Sequence, residues 1–339
     1  MRVLSLRELN RTLLLRQLLL RRARLTPTRA IERVAALQAQ WVPSPYVALW
    51  SRLEGFERDG LTRALRRGSV VKASLMRGTL HLASAADLPL YATALQREAA
   101  PWTSGRAKPS AALVRAAAAF AREPRTAAEL VAWLQRRRGP ASETENLRDL
   151  AWLRHLIPLE PLPETAEWGF VRGVRLRAAP FRRPPRTAAL EHLVRRYLVA
   201  FGPATRADLA AWSGQALSVL GPALDRLPLR PFADERGREL LDLPRAPLAD
   251  GGERAPVRFL SRWDELLIGH ADRDHVLPPE HRSRKLVLGG EQAFLVDGFV
   301  AGTWKLEAGR VATTPFAPLP RRARRELEDE AARLASFLG

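Results

Sequence analysis

Thr126-Ala127-Ala128-Glu129-Leu130-Val131-Ala132-Trp133 returns later in the chain as Thr205-Arg206-Ala207-Asp208-Leu209-Ala210-Ala211-Trp212. Both copies read T-x-x-[ED]-L-x-A-W: a threonine that caps a helix, and an acid three residues on that reaches back to the cap's own N–H. Each is preceded by a helical stretch, 110–121 and 187–200, and followed by another, 145–156 and 216–227. Strand-like runs come next, at 168–177 and 239–243. Three helices and a ribbon, met twice, predict tandem winged helices. The competing reading is that capping boxes recur by chance in a helical protein.

Working outward, the N-terminal hundred residues fit the same plan. A helix is expected over 5–22, capped by Ser5, with leucines at 6, 9, 13 and 20 and arginines on its other faces. A second starts at Thr26-Pro27, a capping residue followed by proline at the first helical position. Further helices are expected at 45–53 and 59–67. The β-type run 69–83 is then either one long strand or a hairpin turning at Arg77-Gly78. Beyond 257 the pattern changes to short strands with glycine turns, such as Phe294-Leu295-Val296-Asp297-Gly298, and a last helix at 321–337. The fold class expected is α+β: three tandem winged helix-turn-helix units, a small β-barrel-like domain and a C-terminal helix. The boundaries fall at 1–105, 106–180, 187–245 and 253–339.

Where the second helix runs into a proline-interrupted loop stands Leu37-Gln38-Ala39-Gln40-Trp41. Continuing the helical period puts the Gln38 amide on the core side, with Ile31, Val34 and Ala35. Pro43 and Pro45 bias the residues before them to extended geometry, which ends the helix near Gln40. If the chain is extended from Gln38 onward, both amides share a face and converge. From the residues alone, a structural role is the commoner one for such a pair.

The formal charge of +19 and a pI near 11.5 point to a polyanionic partner, nucleic acid before membrane. Nearly all the basic residues are arginine, a bias that a GC-rich genome also produces. No cysteine is present, which excludes disulfides and thiolate chemistry. No window approaches the roughly 20 apolar residues of a membrane span. The expectation is a soluble cytoplasmic monomer that binds duplex DNA.

Other candidates are weaker. Arg77, Thr79 and His81 share one face if their ribbon is a continuous strand, giving Arg77 a phosphate and His81 a place in the pocket. Lys72 is the lysine that folding could bring close. His270, His275 and His281, near Asp272 and Asp274, have spacings that match no familiar zinc signature, so no metal is assigned. That segment, with Arg273, reads as a basic loop that touches DNA or solvent. Asp264-Glu265 fits a helix-capping or surface pair better than a general base. Trp133 and Trp212, at equivalent repeat positions, read as core. Arg21, Arg22, Arg24, Arg182, Arg183 and Arg186 read as solvated surface, some of it able to line a DNA groove.

Taken in order, Gln38-Ala39-Gln40, Met76-Arg77-Gly78-Thr79-Leu80-His81, Gly202-Pro203-Ala204-Thr205 with Trp212-Ser213-Gly214, and Val296-Asp297-Gly298 with Gly302-Thr303-Trp304 resemble the AlkZ-like DNA glycosylases. The resemblance runs nearly end to end. It implies winged helices around a DNA-binding concavity, a β-barrel-like domain, and excision of N7-alkylated purines, crosslinked ones included. It implies that Gln38 and Gln40 are the catalytic Gln-apolar-Gln motif, with no cofactor. Ser261 and Trp263 depart from the family's pattern. The competing function, from another class, is a non-catalytic winged-helix DNA-binding or regulatory protein.

Overall fold

The computed structural model describes residues 1–96, 109–163, 168–170, 173–179, 182–282, 286 and 289–339. The chain opens with a short strand, β1 (Arg2–Leu4), and helix α1 (Leu6–Arg16), which is capped by Ser5 and Glu8 in a reciprocal capping box. α1 stops at Arg16, well short of residue 22, because Leu18 turns to a φ of 58°. Two of its three arginines are not solvated. Arg11 and Arg16 are fully buried, and Arg16 grips Asp242 with two nitrogens at 2.8 and 2.7 Å. A guanidinium fork on a carboxylate is one of the few arrangements that tolerates such burial.

Next come α2 (Pro27–Arg33), β2 (Leu37–Gln38), α3 (Ser44–Arg52) and α4 (Arg58–Arg66). The run at 69–83 is a hairpin: β3 (Val70–Ser74), a 3-10 turn over Met76–Gly78, and β4 (Leu80–Ser84). Arg77 and Gly78 take φ values of 56° and 77° at its tip. α5 (Leu88–Ala94) closes this part. The strands order as β2-β4-β3, so the short strand carrying Gln38 is an edge added to the hairpin.

The second set is α6 (Ala111–Phe120), α7 (Ala127–Arg138), α8 (Glu143–Leu156), β5 (Leu159–Pro161) and β6 (Leu176–Ala178). The third is α9 (Arg186–Phe201), α10 (Arg206–Ser213), α11 (Leu217–Arg226), β7 (Arg230–Asp234) and β8 (Glu239–Asp242). The capping boxes that defined the repeat form in both copies, Thr126 with Glu129 and Thr205 with Asp208. Trp133 and Trp212 are both buried in core. One pairing was not anticipated: β1 adds in parallel to β7, so the N-terminus completes the third set's sheet.

The remainder is β9 (Arg258–Phe259), α12 (Glu265–Ile268), β10 (Gln292–Val296), β11 (Phe299–Glu307), β12 (Arg310–Pro315) and α13 (Arg321–Leu338). Among the described residues its strands form an open antiparallel sheet ordered β12-β11-β10-β9, not a closed barrel. Here the expectation needs correcting. α13 lies on this sheet and joins its core through Leu327 and Leu334, where a barrel would instead close by strand pairing.

The cores show how these sets associate. The second has its own, around Leu130, Trp133, Leu153 and Leu176. The first and third share one, running from Leu13 and Tyr91 through Tyr197 and Trp212 to Leu266 and Leu295.

Candidate active site

The glutamine pair lies where β2 ends. The helix before it stops earlier than the proline argument gives, at Arg33, with Val34 as its cap and Ala35 at a φ of 71°. Three residues later Leu37 and Gln38 pair with Leu82 and His81 of β4, and the Ala39 N–H donates to Leu80 O at 2.7 Å. The segment is therefore extended before Gln38. Alternation turns Leu37 and Ala39 into the core and Gln38 and Gln40 the other way.

The two amides meet. Gln38 Nε2 donates to Gln40 Oε1 at 2.6 Å, and the Gln40 backbone N–H donates to Gln38 Oε1 at 3.0 Å. Gln38 is buried while Gln40 is exposed. The inner amide thus fixes the outer one, and each carbonyl oxygen keeps a second lone pair.

His81, directly across from Gln38, is fully buried. Its Nδ1 lies 2.9 Å from Thr79 O and its Nε2 3.1 Å from Glu265 Oε1. Glu265 is itself buried, and its Oε2 accepts from Trp212 Nε1 at 3.2 Å. Arg77 stands 3.9 Å from the same carboxylate and donates to Trp212 O. Arg77 occupies the turn, so it does not share a continuous strand face with His81; the two meet at Glu265 instead. The Thr79 hydroxyl closes the turn on Met76 O at 3.1 Å.

Lys72 lies on the opposite face, in register with Leu82 and Leu37. Its ammonium sits 4.5 Å from the Phe170 ring centroid, and burial, with Arg154 adding to it, lowers its pKa to about 8. Burial, then Arg77, also lowers Arg273. His270 and His275 stack edge to face at 4.3 Å, His281 packs on Phe316, and among the described residues no group of side chains converges as a metal site needs. Asp264 caps α12 and pairs with buried Arg52 at 2.6 Å. Glu265 beside it is neither cap nor surface. Sequence reasoning weighed it and missed its place, since nothing local to residue 265 announces a histidine on β4. Of the arginines read as solvated surface, Arg21, Arg22 and Arg24 pair with Glu253, Glu330 and Glu54.

The stretch borders two hollows. Beyond Trp41 is one of about 670 Å3, lined by Trp41, Trp168, Arg262, Gln292, Thr303 and Lys305. On the Gln40 side is a smaller one against α8.

A family model described as DNA glycosylase AlkZ-like matches residues 31–337. An interstrand DNA cross-link repair glycosylase of Streptomyces sahachiroi is 26% identical over 369 residues, covering 96% of this chain and 94% of that protein. The solved structure of the Streptomyces sahachiroi DNA glycosylase AlkZ superposes with a TM-score of 0.82 at 23% identity, over 99% of this chain and 97% of that one. At that identity the superposition speaks for the fold.

Proposed function

Because this chain belongs to the AlkZ-like DNA glycosylase family, we propose that it hydrolyses the N-glycosidic bond of N7-alkylated purines in duplex DNA, with Gln38 and Gln40 directing the water. The same reading takes the three helix-and-ribbon sets as winged helices that hold the duplex. It extends to interstrand crosslinks, as the name of the Streptomyces relative suggests.

The observation that carries this reading is the coupled pair of amides at the end of β2. An N7-alkylpurine is already cationic, so it departs as a neutral base with little acid assistance. Cleavage leaves an oxocarbenium-like sugar, and a water must reach its anomeric carbon. The Gln40 carbonyl accepts a hydrogen bond from that water and turns its partial negative charge towards the cation. Gln38 holds the Gln40 side chain in one orientation, so little reorganisation is left for the moment of reaction. The water's proton passes to solvent after attack. A labile substrate tolerates an amide where a stronger base would otherwise be needed.

The test is release of N7-methylguanine from alkylated duplex by the wild type and by Gln38→Ala/Gln40→Ala. The wild type should release the base and the double variant should not. A folded wild type that binds duplex and releases nothing would leave a binding protein. Equal release by both would remove the glutamines from the chemistry.

A further inference from the structure

The smaller hollow has a volume of about 220 Å3 and lies between the tip of the β3–β4 hairpin and α8, lined by Gln40, Ser74, Leu80, Leu147, Ala151 and Arg154. From these residues we infer that it receives a target base alkylated without a crosslink, after extrusion from the duplex, with Leu147 as the side chain that takes the base's place in the stack; a crosslinked base, tied to both strands, would not enter it. This rests on the glycosylase reading above and adds to it the manner in which the substrate is presented.

Size comes first. Clefts for drug-sized ligands run to about 300–1,000 Å3, so this hollow suits one fused-ring base and little more. Its lining is mixed in the way a base requires: apolar walls from Leu80 and Ala151, and polar groups from Gln40, Ser74 and Arg154 at its edges. Arg154 has no hydrogen bond or ion pair among the described residues, and burial lowers its pKa. A guanidinium so placed is a donor awaiting an acceptor, and a guanine presents O6 as one. Gln40, the exposed member of the pair, lines the same space, so a base seated there brings its anomeric carbon to the amide that directs the water.

Leu147 supplies the second half. It is 61% exposed, although its neighbours Leu150 and Leu153 on α8 are buried. A single exposed leucine is ordinary on a protein surface; its position is what counts. Leu147, Ala151 and Arg154 follow one another at helical spacing, so one stripe of α8 faces the hollow with the leucine outermost. Apolar side chains inserted between base steps offset the unstacking cost that extrusion incurs.

The inference is tested by single-turnover excision of N7-methylguanine from a duplex and from the same strand alone, with 2-aminopurine beside the lesion to report unstacking. Wild type, Leu147→Ala and the space-filling Ala151→Phe are compared, with thermal melts and duplex affinity as controls. Leu147 is exposed, so its truncation leaves the fold intact. Wild type should brighten the probe on binding. Leu147→Ala should lose about tenfold or more on duplex, where unstacking must be offset, and change little on the single strand. Ala151→Phe should bind duplex, melt like wild type and excise from neither. Leu147→Ala equal to wild type on both substrates, or a folded Ala151→Phe that excises normally, would overturn the inference. Wild type that brightens the probe yet releases no base would support extrusion and overturn the excision chemistry instead. Wild type that does neither would overturn both.

Discussion

Glu265 Oε1 stands 3.1 Å from His81 Nε2, and with both side chains buried the contact fastens the strand beside Gln38 to a helix far along the chain. A carbonyl on one side and a carboxylate on the other leave the imidazole facing acceptors at both nitrogens. Removing the carboxylate by Glu265→Ala strands Arg77 and the Trp212 N–H, and should cost about 3–5 kcal/mol, as for other broken buried pairs. Urea unfolding would show it as a lower midpoint with an unchanged slope. Glu265→Gln keeps an acceptor for Trp212 and should cost less. A Glu265→Ala midpoint equal to wild type would mean that the cluster contributes nothing to stability.

Gln40→Ala should lower the rate of base release by roughly two orders of magnitude, the scale seen when one positioned polar group is removed from a reacting centre. Its stability should move by no more than about 0.5 kcal/mol, since the side chain is exposed. Gln38→Ala should lose a similar factor through Gln40, which it orients. The double variant should therefore be little worse than either single one. Losses that multiply would show two independent roles.

Burial above all, with His270 beside it, lowers the pKa of His275 to about 3. The unfolded ring titrates near 6.5, so between these values the unfolded chain holds a proton that the folded one does not. The stability that this ring confers is complete above about pH 6.5 and declines as pH falls towards 3. Thermal melts between pH 7.5 and 4.5 should show a shallower decline for His275→Asn than for wild type. Parallel curves would mean that the ring is protonated in the folded protein.

Lys72 has the same sign over another window. Its folded pKa of about 8 lies below the unfolded 10.5, so the cost of burying the ammonium is felt in full below pH 8 and fades as pH rises to 10.5. Lys72→Met should raise the melting temperature at pH 7 and lose that advantage towards pH 10. A variant destabilised at both pH values would show that the contact with Phe170 outweighs the burial cost.

Duplex affinity should fall steeply with salt, by a slope of about −0.9 per phosphate neutralised. Arg11, Arg16 and Arg52 are fully buried against Asp297, Asp242 and Asp264, so the slope should reflect far fewer phosphates than the arginine count suggests. Fluorescence anisotropy between 50 and about 200 mM salt spans the useful range. A flat dependence would exclude phosphate contacts altogether.

How much of this was legible beforehand follows from the range of the forces involved. Helix caps are local: Ser5, Thr26, Thr126 and Thr205 announce their helices because a hydroxyl meets an N–H two or three residues away. The hairpin turning at Arg77-Gly78 was one of two readings the sequence left open, and the φ values of Arg77 and Gly78 decide for it. The burial of Arg11 and Arg16 left no mark in the sequence around them, because their partners, Asp297 and Asp242, lie hundreds of residues away. The open C-terminal sheet was likewise hidden, since strand closure depends on which edges meet and on what α13 covers.

The sequence by itself determined the capped repeats, the order of helices and ribbons, and the two glutamines at the end of one of them. Tertiary structure alone decided that Leu37 and Gln38 leave the helical path. That happens because β4 offers them an edge to pair with, and a backbone hydrogen-bonded to a distant strand overrides a weak local helical preference. The same pairing sets His81 beside Gln38 and lets the two amides meet. A contact between residues far apart in the chain leaves no periodic signal in either of them.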